Sequence, residues 1–150
     1  MRYLADCIVT MFYIGRIPFA PGSWASLAAV ILWLNFFKNL NYLFLPIIAV
    51  TLFFIGTYFS HLVLRTTNTK DPSFIVIDEW VGQWITFSFL PVNYTIAILG
   101  FLLFRFFDIS KVGPVKSFEK LPGAWGVMAD DVIAGILSMM TLLLIQYYIL

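Results

Sequence analysis

Five apolar stretches, at about residues 24–37, 42–64, 74–90, 94–107 and 132–150, make up most of the chain, with short polar links between the first four and a longer one before the fifth. With 61% of residues hydrophobic and 11% charged, against roughly 25% charged in a soluble domain, the chain cannot cover so much apolar surface in an interior of its own. The expected solution is an all-α, single-domain integral membrane protein over residues 1–150, with about five membrane helices. The second and fifth stretches are long enough to cross roughly 30 Å of hydrocarbon at about 1.5 Å per residue, whereas the first reaches only about 21 Å and reads as short, tilted or re-entrant. Pro91-Val92-Asn93 breaks the third stretch from the fourth. The competing reading, a single span near 85–104, is tested by where the charges then fall.

With five crossings, Arg2, Arg16, Arg65, Lys70, Arg105, Lys111, Lys116 and Lys120 share one side and only Lys38 lies on the other. A single span at 85–104 would split these cations, so five crossings fit better and the basic side is expected to be cytoplasmic. All eight acids, Asp6, Asp71, Asp78, Glu79, Asp108, Glu119, Asp130 and Asp131, land on that same side. The polar chemistry is therefore expected to face the cytoplasm. A net charge of +1 without a basic stripe gives no case for nucleic acid. One cysteine, Cys7, makes no internal disulfide and reads as a small buried apolar residue. Leu4, Cys7, Ile8, Met11 and Phe12 follow helical spacing, which predicts a short N-terminal amphipathic helix at the membrane surface, kept in the mature protein. His61, inside an apolar run, reads as a packing residue rather than a ligand.

The densest polar stretch runs from Arg105 to Asp131 and gathers four acids and four bases between two apolar runs. Arg105, Asp108 and Lys111 are spaced by three, so they share a helical face; an intrahelical ion pair explains them, and so does a site for phosphate and metal together. Asp130-Asp131 precede Ala134-Gly135 at the start of the last stretch, one acid more than a helix cap requires. Asp78-Glu79 lie within FIVIDEWVGQWI, about a turn inside an apolar run and deeper than a cap should be, with Gly82 leaving the face after Asp78 open to close approach. Pro18-Phe19-Ala20-Pro21-Gly22-Ser23 leads into the first apolar helix with Ser23 at a natural N-cap position, readable as a plain helix start or as an anion seat at Gly22 and Ser23. If Asp78, Glu79, Asp108, Asp130 and Asp131 converge, their mutual repulsion calls for a divalent cation. Hard oxygen donors without His or Cys point to magnesium.

Taken together, PFAPGSWASLAA, VIDEWVGQWIT, FRFFDISKVGP and GVMADDVIAGI, in this order and at these separations, resemble the phosphatidylglycerophosphatase A family over about Gly15 to Gly135. The resemblance implies an all-helical, magnesium-dependent phosphatase of a bacterial-type inner membrane that removes the terminal phosphate of phosphatidylglycerophosphate, leaving phosphatidylglycerol, with that lipid and the surrounding membrane lipids as its partners. It implies catalytic roles for Asp78, Glu79, Asp108, Asp130 and Asp131, with Asp78, Glu79, Asp130 and Asp131 holding Mg2+. Arg105, Lys111, Gly22 and Ser23 then contact the substrate phosphate. Two departures touch loop shape rather than charge. Lys111-Val112-Gly113-Pro114 stands where the family commonly has Lys-Pro-x-Pro. Gly123-Ala124-Trp125-Gly126 and Trp24-Ala25 replace stretches richer in glycine.

Other phosphatase chemistries lack their motifs: there is no Asp-x-Asp pair after Asp108, and the sole histidine lies away from the acids. A rival of another class is a small transporter or ion pathway, since acids inside spans also mark permeation routes. It predicts acids spread across membrane depth, whereas here all fall on one side. A non-enzymatic assembly subunit accounts for the helices but not for the five acids, two bases and Pro-Gly-Ser turn.

Overall fold

The computed structural model describes residues 2–41, 43–67, 69 and 72–149, and within them the chain is all helical, without strands. The helices are α1 (Arg2–Val9), α2 (Pro21–Phe36), α3 (Phe44–Leu64), α4 (Ile77–Thr86), α5 (Tyr94–Ser110), α6 (Val115–Phe118) and α7 (Ala124–Tyr148), with one 3-10 turn at Ile14–Arg16. Lys70 and Asp71, two of the charges assigned to the cytoplasmic side, lie outside the described residues.

Local chemistry sets most of the boundaries. Pro21 occupies the first position of α2, where its fixed φ suits a helix and its missing N–H costs nothing. Asn93 caps α5 by accepting a 2.8 Å hydrogen bond from the Ile96 amide. Phe89, at φ +66°, turns the chain between α4 and α5. The Val76 amide donates to the Val9 carbonyl at 2.9 Å, which ties the end of α1 to the start of α4.

Several boundaries correct the sequence reading. Ser23 does not cap α2; Ala20 does, in the left-handed region, and Ser23 falls in the first turn. The third apolar stretch forms only the ten-residue α4, because residues 74–76 stay outside the helix and the turn at Phe87–Leu90 closes it. Asp78 and Glu79 are therefore in the first turn of a helix, not one turn inside it. Conversely, α7 starts at Ala124, eight residues before the expected apolar onset, so Asp130 and Asp131 lie in its second turn rather than at its cap. The N-terminal helix forms but ends at Val9, and its buried side is Ala5 and Val9 while Leu4 stays exposed. Cys7 is half-buried, and His61 is exposed on α3 instead of packed.

α4 is the central element, packed by α2, α3, α5 and α7. It runs beside α2 in the same direction, with Trp84 Nε1 donating to the Ala29 carbonyl at 3.1 Å and Phe87 stacked on Trp33 at 4.0 Å between ring centroids. The starts of α2, α4 and α7 and the end of α5 meet at one end of the molecule. Lys38 lines a hollow with Phe37, Phe87 and Pro91, where α2 and α4 have finished.

Two helices, α3 and α7, are long and apolar enough to cross a membrane. Phe44, Ile47, Phe54 and Tyr58 on α3, Ile98 and Leu102 on α5, and Met140 and Leu144 on α7 point outward. Ser26, Ser60, Gln83, Thr86 and Ser138 are buried inside. The interior is mostly apolar as well, with Trp33, Phe87 and Phe104 among its largest side chains, so it is the apolar exterior that water would not select.

Candidate active site

One acid on each of α4 and α7 has a glycine one helical turn further on: Asp78 has Gly82, and Asp131 has Gly135. Small residues at this spacing let helix backbones approach, and here they do so to the limit. A Cβ at Gly135 would run into the Gly82 carbonyl, and a Cβ at Gly82 would lie 2.6 Å from the Asp131 carbonyl oxygen and against the Phe104 ring. Thr86 donates to the Gly82 carbonyl at 2.9 Å beside the crossing. The contact that joins α4 to α7 is therefore the contact that brings Asp78 and Asp131 together.

A carboxylate oxygen from each of Asp78, Glu79 and Asp131 lies within 4.8 Å of the other two. Asp78 and Asp131 are buried and Glu79 nearly so. Glu79 Oε2 is enclosed without a hydrogen-bond partner among the described residues. Three adjacent carboxylates of this kind, rich in hard oxygen donors and short of protein cations, fit a divalent metal such as magnesium.

A second tier of charge sits beside the first. Arg105 Nη1 contacts Asp108 Oδ2 at 2.6 Å and lies 4.0 Å from Glu79 Oε1. Lys111 reaches both Asp108, at 3.3 Å, and Asp130, with which it makes its shortest ion pair. Its left-handed backbone, at the C-terminal end of α5, directs it there. Burial opposes the Lys111 charge, but Asp131, Asp130 and Asp108 together outweigh that penalty and raise its pKa above the ordinary lysine value. A raised lysine pKa keeps the ammonium charged, and its contribution to stability present, at any pH below the unfolded-state value near 10.4.

Of the four acids expected to share a metal, Asp78, Glu79 and Asp131 converge, whereas Asp130 turns to Lys111 and accepts a 3.1 Å bond from the Asp131 amide. Neighbours on a helix point about 100° apart; on α4 that step leaves Asp78 and Glu79 both at the cluster, whereas on α7 it puts Asp131 there and Asp130 beside Lys111. Asp108, Arg105 and Lys111 line the same 340 Å³ cavity as the three converging acids. Gly22 lines it too, so close to Glu79 that a Cβ would overlap the carboxyl group. Ser23 is not part of that lining, and its amide, like that of Trp24, is turned to the Ala20 carbonyl.

Two residues escaped the sequence reading. Gln83 and Ser26 are fully buried one turn inward from Glu79 and Gly22, and neither the Gln83 amide nor Ser26 Oγ has a partner among the described residues. The available signal was a glutamine in an apolar helix, four residues after an acid.

Comparison with known proteins bears on the family of the chain. The family described as phosphatidylglycerophosphatase A matches residues 7–146. A protein of Haemophilus influenzae named "Phosphatidylglycerophosphatase A" is 36% identical, over 91% of this chain and 85% of its own. One of Escherichia coli with the same name is 34% identical, over 83% of this chain and 73% of its own. A Bacteroides thetaiotaomicron protein named "Putative phosphatidylinositol-3-phosphatase" is 36% identical, over 98% and 96%. No solved structure matches the chain.

Proposed function

Because the chain belongs to the phosphatidylglycerophosphatase A family, we propose that it hydrolyses the terminal phosphate of phosphatidylglycerophosphate, giving phosphatidylglycerol and phosphate. The observation that carries this reading is the convergence of Asp78, Glu79 and Asp131 beside Arg105 and Lys111 in one cavity. Anionic ligands for a metal next to cationic ligands for a phosphate are the two halves of a phosphomonoester site.

In this reading Asp78, Glu79 and Asp131 hold Mg2+. Bound there, the ion supplies polarisation of a phosphoryl oxygen and acidification of water. Arg105 and Lys111 bind the remaining phosphate oxygens and orient the ester for in-line displacement. Asp108 and Asp130 act on those two bases, holding Arg105 and Lys111 toward the cavity when no phosphate is present. Gly22 keeps the α2 side of the cavity clear, so that Glu79 meets backbone and not a side chain.

The outward apolar belt supports membrane embedding through five helices, α2, α3, α4, α5 and α7, with α4, at about 15 Å, reaching only partway. Acids and bases at the end opposite Lys38 support a site on the cytoplasmic face of an inner membrane. The same one-sidedness disfavours an ion pathway, which needs polar groups through the depth of the membrane.

The test uses purified protein in mixed detergent–lipid micelles. Phosphate release from phosphatidylglycerophosphate is expected with magnesium, to stop with a chelator and to return when magnesium is restored. No release under any condition refutes the substrate; undiminished release in chelator refutes the metal. Gly22→Ala is expected to lower the rate between about 10- and 100-fold, since the added methyl displaces the Glu79 carboxyl. Thermal unfolding of this variant should match wild type.

A further inference from the structure

A second cavity, of 920 Å³, adjoins the acid cluster and shares Val127 and Asp130 of α7 with it. Its far wall is the end of α3 and the residues after it, with Thr67 and Thr69, and its near wall is the 119–123 loop, which carries Lys120. The loop is pressed onto α7 at Gly126, where a Cβ would collide with the Leu121 carbonyl and stand 3.0 Å from that of Glu119. Gly123, at φ +60°, then turns the chain into the helix. Pro122 and Gly123 also line the next hollow outward, a 540 Å³ groove walled by Phe54, Tyr58 and Trp125. Those three aromatic side chains are at least half exposed, on the outward faces of α3 and α7. An apolar groove at the surface, a larger cavity with a cation at its wall and the acid cluster thus follow one another, each sharing two lining residues with the next.

This inference rests on the substrate reading above, and the chemistry of that substrate accounts for the series. Phosphatidylglycerophosphate carries two phosphates, a terminal monoester and an internal diester, joined by a three-carbon glycerol bridge, with the diacylglycerol beyond the diester. Arg105 and Lys111 serve the monoester and leave the diester, a second anion, without a counterpart in the inner cavity. We propose that the 920 Å³ cavity binds the phosphodiester and its glycerol bridge, with Lys120 as the cation that pairs with the diester, while the Phe54–Tyr58–Trp125 groove takes the start of the diacylglycerol. The bridge crosses the rim formed by Val127 and Asp130. Thr67 and Thr69 offer hydroxyls across from Lys120 for the glycerol oxygens. Glu119, next to Lys120, also lines the cavity and works against a second anion there, which makes Lys120 the determinant of whether a diester is accepted. Lys120 is in this sense a specificity residue, recognising a lipid with an internal phosphodiester over a simple phosphomonoester.

The product retains the diester and has lost the monoester, so it isolates the second cavity from the first. Binding of short-chain dihexanoyl phosphatidylglycerol and of orthophosphate to the full-length protein in detergent, by isothermal titration, separates the two sites. Lys120→Ala is expected to weaken phosphatidylglycerol binding about tenfold, with Lys120→Arg restoring it and orthophosphate binding unchanged in both. Equal phosphatidylglycerol affinity in wild type and Lys120→Ala, or no binding by wild type, overturns the assignment. So does a parallel loss of orthophosphate binding, which would make Lys120 part of the inner site. Phosphate release by wild type, measured separately, decides the substrate reading independently of Lys120.

Discussion

Asp131→Asn is expected to lower phosphate release by about 100-fold or more while leaving the protein as thermally stable as wild type, or more so. The substitution keeps shape and removes one negative charge from a buried group whose oxygen lies within 4.8 Å of those of Asp78 and Glu79. At that separation and an effective dielectric near 20, two ionised carboxylates would repel by about 3.5 kcal/mol, so ionising all three acids is costly unless a cation offsets it. A side chain kept for folding alone would show the opposite pattern, with lost stability and a rate that falls only as far as the folded fraction does. Phosphate release and thermal unfolding of the same purified variant, compared with and without magnesium, distinguish the two. Magnesium is expected to raise the unfolding temperature of wild type more than that of Asp131→Asn, because one of its three proposed anionic ligands has gone. Activity near the wild-type level would remove Asp131 from the metal-binding role.

Gly135→Val is expected to abolish activity and to lower the unfolding temperature sharply. Its Cβ meets the Gly82 carbonyl, which is backbone and cannot rotate aside as a side chain could. The helices must separate, and because Asp131 lies one turn from Gly135 and Asp78 one turn from Gly82, separation also opens the acid cluster. Overpacking of this kind costs about 1–3 kcal/mol where side chains can adjust, and backbone contact leaves less room to adjust. Small-to-large change at the outward-facing Met140 of the same helix, for example Met140→Phe, should leave both readouts close to wild type. If Gly135→Val retained wild-type stability and activity, the backbone crossing would not be what sets the distance between Asp78 and Asp131.

Much of the architecture was legible because it follows from local rules. The apolar runs marked α2, α3 and α5 to within a few residues, and Pro91 and Asn93 marked the break before α5, where Asn93 does cap the helix. The start of α7 was not legible, since two adjacent acids read as the edge of an apolar span. Only packing against α4, α5 and Lys111 makes a helix running through them tolerable. The length of α4 was missed for the converse reason, as Phe74 to Val76 are apolar without being helical. The apolar sequence alone does not separate a helix from a buried extended segment, whereas the Val76–Val9 hydrogen bond does.

The candidate site divides in the same way. Residue types and their spacing determined that acids and bases would gather at one end of the helices, because neither the order of polar and apolar stretches nor the helical period depends on how the helices pack. They also determined that Gly82 follows Asp78, and Gly135 follows Asp131, by one turn. Which acids face one another was decided by tertiary structure alone. The Gly82–Gly135 crossing turns Asp131 toward Asp78 and Glu79, while Asp130, on the next position of α7, meets Lys111 from the end of α5. A sequence fixes the angle between neighbours on one helix, but the rotation of that helix against another is set by the closest backbone contact they can make.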